Sequence, residues 1–325
     1  NRYEDDRRVT FSDLPTGNAP RQRRIWDEKQ TGMLATLTWV ASDTLTLEGG
    51  ANHEQQRNAY TRQRFNYAEP TDFDARPARV QNDDFHSFDN TGAYVQAIYQ
   101  PVDALKIVPA YRVDRFDGAT QLPGGVRAPL QDYGTIGQPK LSVVYALSPD
   151  TNLYANWGRT FQVLTGSTPP AYLTPGQMAM QPSTNTGMEA GLRFAPFAGS
   201  QARIAVWQQD AENEVSNMPA TGTTVVLGKT RRRGVDAQID AQLGEHWTLR
   251  ASHAYQEAKI ERDSRAAGLS IEGNEVAATP RTISNLGVDY RASDALAFGL
   301  QARTQGDYYL EERNVTEKFG KFAVL

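Results

Sequence analysis

The sequence has no cysteine, so neither a disulfide framework nor a thiolate metal site is possible. Long apolar runs are missing too. With a mean hydropathy of -0.58, no stretch reads as a membrane-spanning helix. Barrel strands remain open, because their alternation averages away in a hydropathy window. There is no basic excess: the formal net charge is -4, which argues against nucleic acid as the main partner. The four histidines, His53, His86, His246 and His253, show no metal-ligand spacing. No Ser-His-Asp or P-loop pattern appears, and Asp83 and Asp84 read as loop charges. Nothing in the sequence points to an enzyme or to a resident cofactor. No linker or composition break divides the 325 residues. There is no initiating Met and no signal peptide, so the chain reads as a piece of a longer one.

What is there is alternation. In residues 233–256, Val235, Ala237, Ile239 and Ala241 share one parity, and Asp236, Gln238, Asp240 and Gln242 the other. Successive strand side chains point to opposite faces, so this strand has one apolar and one strongly polar face. A short turn at 243–246 follows, and the return strand repeats the pattern with Trp247, Leu249 and Ala251 against Thr248, Arg250 and Ser252. Lipid on one side and water on the other would select that pattern. Further short turns recur at 41–44, 101–104, 148–151, 197–200 and 291–294, and long polar segments fill 53–87, 117–137, 162–185, 213–230 and 261–280. One end therefore has tight turns and the other long loops, as outer-membrane barrels do. An aromatic on the apolar parity stands beside every short turn: Trp39, Tyr99, Tyr145, Phe194, Trp247 and Tyr290. Aromatics with one apolar and one wet end favour the membrane boundary, so these six form a candidate periplasmic girdle.

Taken in order, residues 1–11 read as the upper part of a strand and 12–24 as a loop. Met33, Ala35, Leu37 and Trp39 mark the first clear outward face. Strands follow at 91–100, 104–115 (through Pro109, which calls for a bulge or a missing bond), 139–147, 151–161, 201–212, 281–290 and 295–305. Met188, Ala190, Leu192 and Phe194 oppose Glu189 and Arg193, and a last strand is expected at 314–325. The count is about thirteen strands, or fourteen with the N-terminal piece, in an all-β, antiparallel, up-and-down transmembrane barrel. The polar parity makes Arg112, Glu189, Arg193, Asp236, Asp240 and Arg250 lumen-facing. Glu189 and Arg193, four apart on one face, read as mutual charge balance. Arg231 and Arg233 take the apolar parity near the loop end, where they would snorkel to lipid phosphates.

Several stretches resemble the TonB-dependent outer-membrane receptors, above all the ferric-siderophore type. Residues 138–161, QPKLSVVYALSPDTNLYANWGRTF, resemble that family's mid-barrel hairpin. Glu189-Ala-Gly191-Leu-Arg193 is similar to its "E-x-G-x-K" strand with Arg in place of Lys, and Gly234-Val235-Asp236 to its "G-x-E" strand start with Asp in place of Glu. Thr279-Pro280-Arg281 resembles the proline before the next strand, and residues 306–314 resemble "G-x-x-Y-x-D-x-x-N". These pieces cover 138–325 in the family's order; residues 1–137 fit a barrel without a signature of their own. The resemblance implies part of a plugged barrel of about 22 strands, with the plug, the TonB-contacting segment and the last strands outside this sequence. It implies capture of a ferric siderophore or similar metal chelate, and import driven through TonB by the proton-motive force. A monomer contacting outer-membrane lipid and lipopolysaccharide is expected. Vitamin B12 or haem as cargo, a passive porin-type channel, and a soluble all-β binding module are the alternatives.

Ligand recognition is expected in the loops, which carry function on a rigid frame. Tyr60, Arg62, Arg64, Phe65 and Tyr67 cluster in one of them, and Tyr133 is a weaker candidate, as is Tyr172. Arg and Tyr suit anionic, aromatic-rich chelates. A barrel keeps its fold in detergent until heated. The protein extracted in mild detergent should therefore shift in gel mobility on boiling, whereas an unshifted band would favour the soluble all-β module.

Overall fold

The computed structural model describes residues 2–10, 21–65, 79–121, 127–129, 132–162, 182–218, 223–263, 265 and 268–325. Among them there is no helix, and the strands run β1 (Arg2–Thr10), β2 (Arg21–Ser42), β3 (Leu45–Phe65), β4 (Arg79–Val102) and β5 (Leu105–Gln121). Then come β6 (Arg127–Pro129), β7 (Thr135–Ser148), β8 (Thr151–Gln162), β9 (Ser183–Phe194) and β10 (Ser200–Met218). The last are β11 (Thr223–Leu243), β12 (Trp247–Arg262), β13 (Thr282–Ser293), β14 (Leu296–Gln305) and β15 (Phe322–Val324). They form one sheet in which sequence neighbours are hydrogen-bonded neighbours, with the three-residue β6 beside β5 off the main path. That meander follows from the tight turns, each of which returns the chain beside the strand it has just left. β5 runs through Pro109 without a break.

Two compact units divide the chain: residues 1–37, 49–94 and 112–136, and residues 38–48, 95–111 and 137–325. In the first, β1 and β2 pair from Arg2 opposite Lys29 to Thr10 opposite Arg21. This hairpin has no apolar face. Opposite charges tie it instead: Arg2 to Asp27 at 3.1 Å and Arg23 to Asp6 at 2.9 Å. In the same unit Arg112 grips the buried Asp114 with two bonds, of 2.7 and 2.6 Å, and donates to Asn52 at 2.8 Å.

In the second unit the register from β7 to β12 aligns side chains into rows. One outward row runs Tyr145, Leu153, Leu192, Ile204, Ala237 and His253. The next inward row holds Tyr154, Gly191, Ala205, Asp236 and Ala254. Every apolar residue of the first row thus lies on the face opposite Asp236. Glycine on the inward face makes room for rings. A Cβ on Gly191 would lie 2.6 Å from the Tyr154 ring, and one on Gly234 would lie 2.7 Å from Trp207. Glycine weakens a strand on its own, but here each one seats an aromatic from the adjacent strand.

Three expectations need correction. Segments 53–87, 117–137 and 213–230 are not long loops throughout: β3 and β4, β5, and β10 and β11 extend far into them. Hydrophobic alternation fades toward them while pairing continues, and cross-strand ions flank segment 213–230, such as Asp210 with Arg231 at 2.7 Å and Glu214 with Arg232 at 2.6 Å. Each such pair adds only about 0.2–1 kcal/mol, enough to keep two strands in register in water. β2 begins at Arg21, inside the expected loop 12–24. The expected last strand at 314–325 is strand only over Phe322–Val324; the residues before it fold as an irregular platform. Most of segment 162–185 lies outside the described residues.

Valine at Gly191 or Gly234 must displace a ring or a carbonyl. Each substitution should lower the unfolding free energy by roughly 1–3 kcal/mol. Denaturant titration of the detergent-solubilised protein measures it, and unchanged midpoints would refute the seating role.

Candidate functional site

The inward wall of β8–β10 carries the densest polar cluster among the expected lumen residues. Tyr154 donates its hydroxyl proton to Glu189, and Arg203 donates to Glu189 at 2.6 Å and to the Tyr154 oxygen at 2.7 Å. Arg193 stacks over the Tyr154 ring at 5.0 Å. The expected Glu189–Arg193 balance is therefore replaced by a Glu189–Arg203 pair. The physical reason is reach. The register sets Arg203 opposite Arg193, four residues along from the Trp207–Glu189 pair, and the small Gly191 and Ala205 between those rows leave the Arg203 side chain room to run along the wall to Glu189. Arg203 was legible as an inward side chain, since Ala202, Ile204 and Val206 take the outward parity. Its partner was not, because the contact depends on how far the side chain runs past Gly191 and Ala205 and beside Tyr154 in the assembled sheet.

The other inward candidates are dispersed. Arg250 pairs with Asp289 across β12 and β13, Gln238 donates to Asp240 at 2.8 Å, and Asp236 is half-buried opposite Ala254. Arg112 belongs to the separate cluster with Asp114 and Asn52. No group of His, Asp or Glu able to hold a metal ion occurs among the described residues. Among the described residues the wall is a polar, ion-paired surface.

Of the loop candidates, only Arg64, Phe65 and Tyr133 have described side chains. Tyr67, Tyr172 and the side chains of Tyr60 and Arg62 lie outside the described residues. Arg64 and Phe65 are at the end of β3, and Phe65 is only 2 % exposed. Tyr133 is half-buried just before β7, and burial pushes its hydroxyl pKa up. The girdle aromatics stand beside their turns: Trp39, Tyr99, Tyr145 and Trp247 are exposed, and Phe194 and Tyr290 half-buried. Trp247 and Tyr290 are paired residues whose rings lie 4.5 Å apart. Phe298, opposite Tyr290 on β14, was missed although it shares the apolar parity.

Above the wall the chain builds a platform. Val225, Leu227, Ala258, Ile260, Ile271, Val276 and Ala277 form a buried apolar cluster. Gly228, at φ 84, bulges β11 and lets Val225 and Leu227 turn toward it. Glu311 accepts the backbone N–H groups of Arg313 at 2.7 Å and Val315 at 2.8 Å. Asn314, at φ 56, accepts from the Glu275 N–H at 2.6 Å and donates to the Glu275 carbonyl at 3.0 Å. The Glu275 carboxylate takes Arg281 at 2.6 Å and Lys318 at 3.1 Å. So the acidic and Asn positions of the 306–314 motif are structural: they terminate a turn and dock it on residues 274–281. Arg231 and Arg233 also differ from expectation. Arg231 binds Asp210 at 2.7 Å and lies 3.6 Å from Glu261, and Arg233 binds Glu257 at 2.8 Å, so both are already engaged by carboxylates.

The family model described as TonB dependent receptor-like, beta-barrel matches residues 1–325. The chain is 25% identical over 172 residues to the metal-pseudopaline receptor CntO of Pseudomonas aeruginosa, covering 52% of this chain and 23% of that protein. It is 22% identical over 250 residues to an uncharacterized TonB-dependent receptor of Haemophilus influenzae, covering 72% of this chain and 68% of the relative. Among solved structures it is similar to the unliganded ferric citrate transporter FecA, with TM-score 0.73, 17% identity, and coverage of 93% of this chain and 46% of that one. The copper transporter OprC gives TM-score 0.72 at 16% identity, covering 95% and 48%. The ferripyoverdine receptor of Pseudomonas aeruginosa gives 0.68 at 16%, covering 99% and 45%. The match thus covers about a quarter of the length of the metal-pseudopaline receptor, and this chain spans just under half of each of these solved receptors.

A double-mutant cycle tests the inward cluster. Coupling between Glu189→Gln and Arg203→Met should exceed 1 kcal/mol, about the worth of a charge-assisted bond, and coupling between Glu189→Gln and Arg193→Met should be clearly smaller. The reverse order, read from unfolding midpoints, would restore the same-strand pairing.

Proposed function

Because this chain belongs to the TonB-dependent receptor-like β-barrel family, we propose that it is a wall-forming part of an outer-membrane receptor that imports a ferric siderophore or related metal chelate. The observation that carries the reading is the two-faced wall: apolar rows outward, and the charged, hydrogen-bonded cluster of Tyr154, Glu189, Arg193 and Arg203 inward. A soluble sandwich buries its apolar face; here Leu153, Met188, Ile204, Val206 and Val235 are all exposed. The family is one of receptors and transporters rather than enzymes, and its barrels are outer-membrane proteins. The names of the relatives, which include a metal-pseudopaline receptor, a ferric citrate transporter and a ferripyoverdine receptor, support a metal chelate as cargo.

In this reading Trp39, Tyr99, Tyr145, Phe194, Trp247 and Tyr290 form the periplasmic girdle. The inward charges at Arg112, Glu189, Arg193, Asp236, Asp240 and Arg250 line the path or face a plug. Capture occurs on the loop side, where the platform over Ile260 and Ile271 holds the rim rigid. Energy comes through TonB from the proton-motive force, and the working unit is a monomer in contact with lipid and lipopolysaccharide. No observation favours the passive channel.

Cells lacking the gene should lose uptake of radiolabelled iron supplied as one member of a siderophore panel, and an uncoupler should abolish that uptake in the parent strain. Uptake that depends on the gene but survives the uncoupler would replace this reading with passive diffusion.

A further inference from the structure

The outward face of β7–β11 is not evenly filled. Its register places Ala155 of β8 directly beside Ala190 of β9, with Val143 and Val206 beyond them in the same row. Larger neighbours flank the two alanines: Leu141, Trp157 and Met188 in the row toward the loops, and Tyr255 at the far end of their own row. Small residues under large ones leave an open, almost wholly apolar groove of about 740 Å³. It lies along the rows that the apolar parity assigns to lipid, and the intervening Asn156, Glu189 and Trp207 also line it.

Charge bounds the groove on its loop side. The register row Arg159, Thr186, Asp210, Arg231 and Lys259 crosses five strands, and the row Trp157, Met188, Gln208, Arg233 and Glu257 lies just beneath it. The two rows hold four cations against two carboxylates. Arg231 and Arg233 are taken by Asp210 and Glu257. Arg159 and the Lys259 ammonium are exposed and in no ion pair among the described residues. They stand at opposite ends of the row, four strand spacings or about 19 Å apart. Arg159 and Lys259 share the register row two residues, or about 7 Å, on the loop side of Trp157 and Glu257. A cation at the edge of an apolar face is stabilised when an anionic headgroup meets it.

We propose that this groove binds one molecule of a phosphorylated, multiply acylated glycolipid of the outer leaflet, the lipid A part of lipopolysaccharide. An acyl chain fills the channel over Ala155 and Ala190, and phosphates meet Arg159 at one end and Lys259 at the other. A headgroup with a single phosphate reaches only one end, which favours the wide bis-phosphorylated sugar over a glycerophospholipid. This rests on the outer-membrane reading but not on any choice of cargo.

Native mass spectrometry of the protein purified from outer membranes in mild detergent tests it. The wild type should keep about one glycolipid per chain. Arg159→Gln with Lys259→Gln should cut retention by about tenfold or more, as the loss of two charge-assisted contacts implies. Ala190→Trp, which fills the groove without touching a charge, should do the same. Heat-shifted gel mobility reports folding separately. Should the tryptophan variant fail to fold, the exposed Lys259→Gln change alone decides, with retention expected to fall severalfold. Retention unaffected by these changes, or a retained glycerophospholipid in place of the glycolipid, would overturn the assignment. A protein absent from the outer-membrane fraction would overturn the reading beneath it instead.

Discussion

A strand facing hydrocarbon must satisfy its whole backbone through its neighbours, because lipid offers no hydrogen-bond partner. Everything else in this chain follows from that requirement and from the two-residue period it imposes. Since the backbone is spent on the ladder, only side chains distinguish the faces. The outward parity of β7–β12 carries Leu153, Ile204 and Val235, and the inward parity carries Tyr154, Glu189 and Arg203. A slip of one residue in any pairing would exchange lipid for water along a whole strand, so the register is strongly specified wherever the apolar face is continuous.

Where that face ends, different interactions hold the sheet. β1 with β2, and the loop-side parts of β10 with β11, have charge where the lower strands have hydrophobes. Arg23 with Asp6, Arg231 with Asp210 and Arg232 with Glu214 keep register in solvent at small individual energies. Strand pairing therefore continues past the apolar face, and beyond it the chain carries a platform whose core is apolar and whose ends are pinned by Glu275, Glu311 and Asn314. A motif that looked like a family label in the sequence is physically a turn with its backbone donors and acceptors satisfied by side chains.

The same geometry reassigns charges. Glu189 is linked to Arg203 and not to Arg193, and Arg231 and Arg233 are neutralised by Asp210 and Glu257 rather than left for lipid. In each case the partner comes from an adjacent strand. Arg159 and Lys259, the cations of their two register rows in no ion pair among the described residues, had no feature in the linear sequence to separate them from the other basic residues. Their position becomes meaningful only when five strands are laid side by side.

The sequence by itself determined the strand faces, the short turns, the aromatics beside them and the family. These depend on a period of two and on local turn chemistry, both written along the chain. It left undecided how far each strand continues, which charges pair, and where small residues coincide. Those depend on register between strands tens of residues apart, as with Ala155 beside Ala190 or Arg203 beside Arg193. Register arises when many backbone bonds and both faces are satisfied together, so only the assembled sheet sets it. The end of β3 is the clearest example: the composition around Phe65 suits a ligand-binding loop, but pairing continues to that residue and the ring is buried.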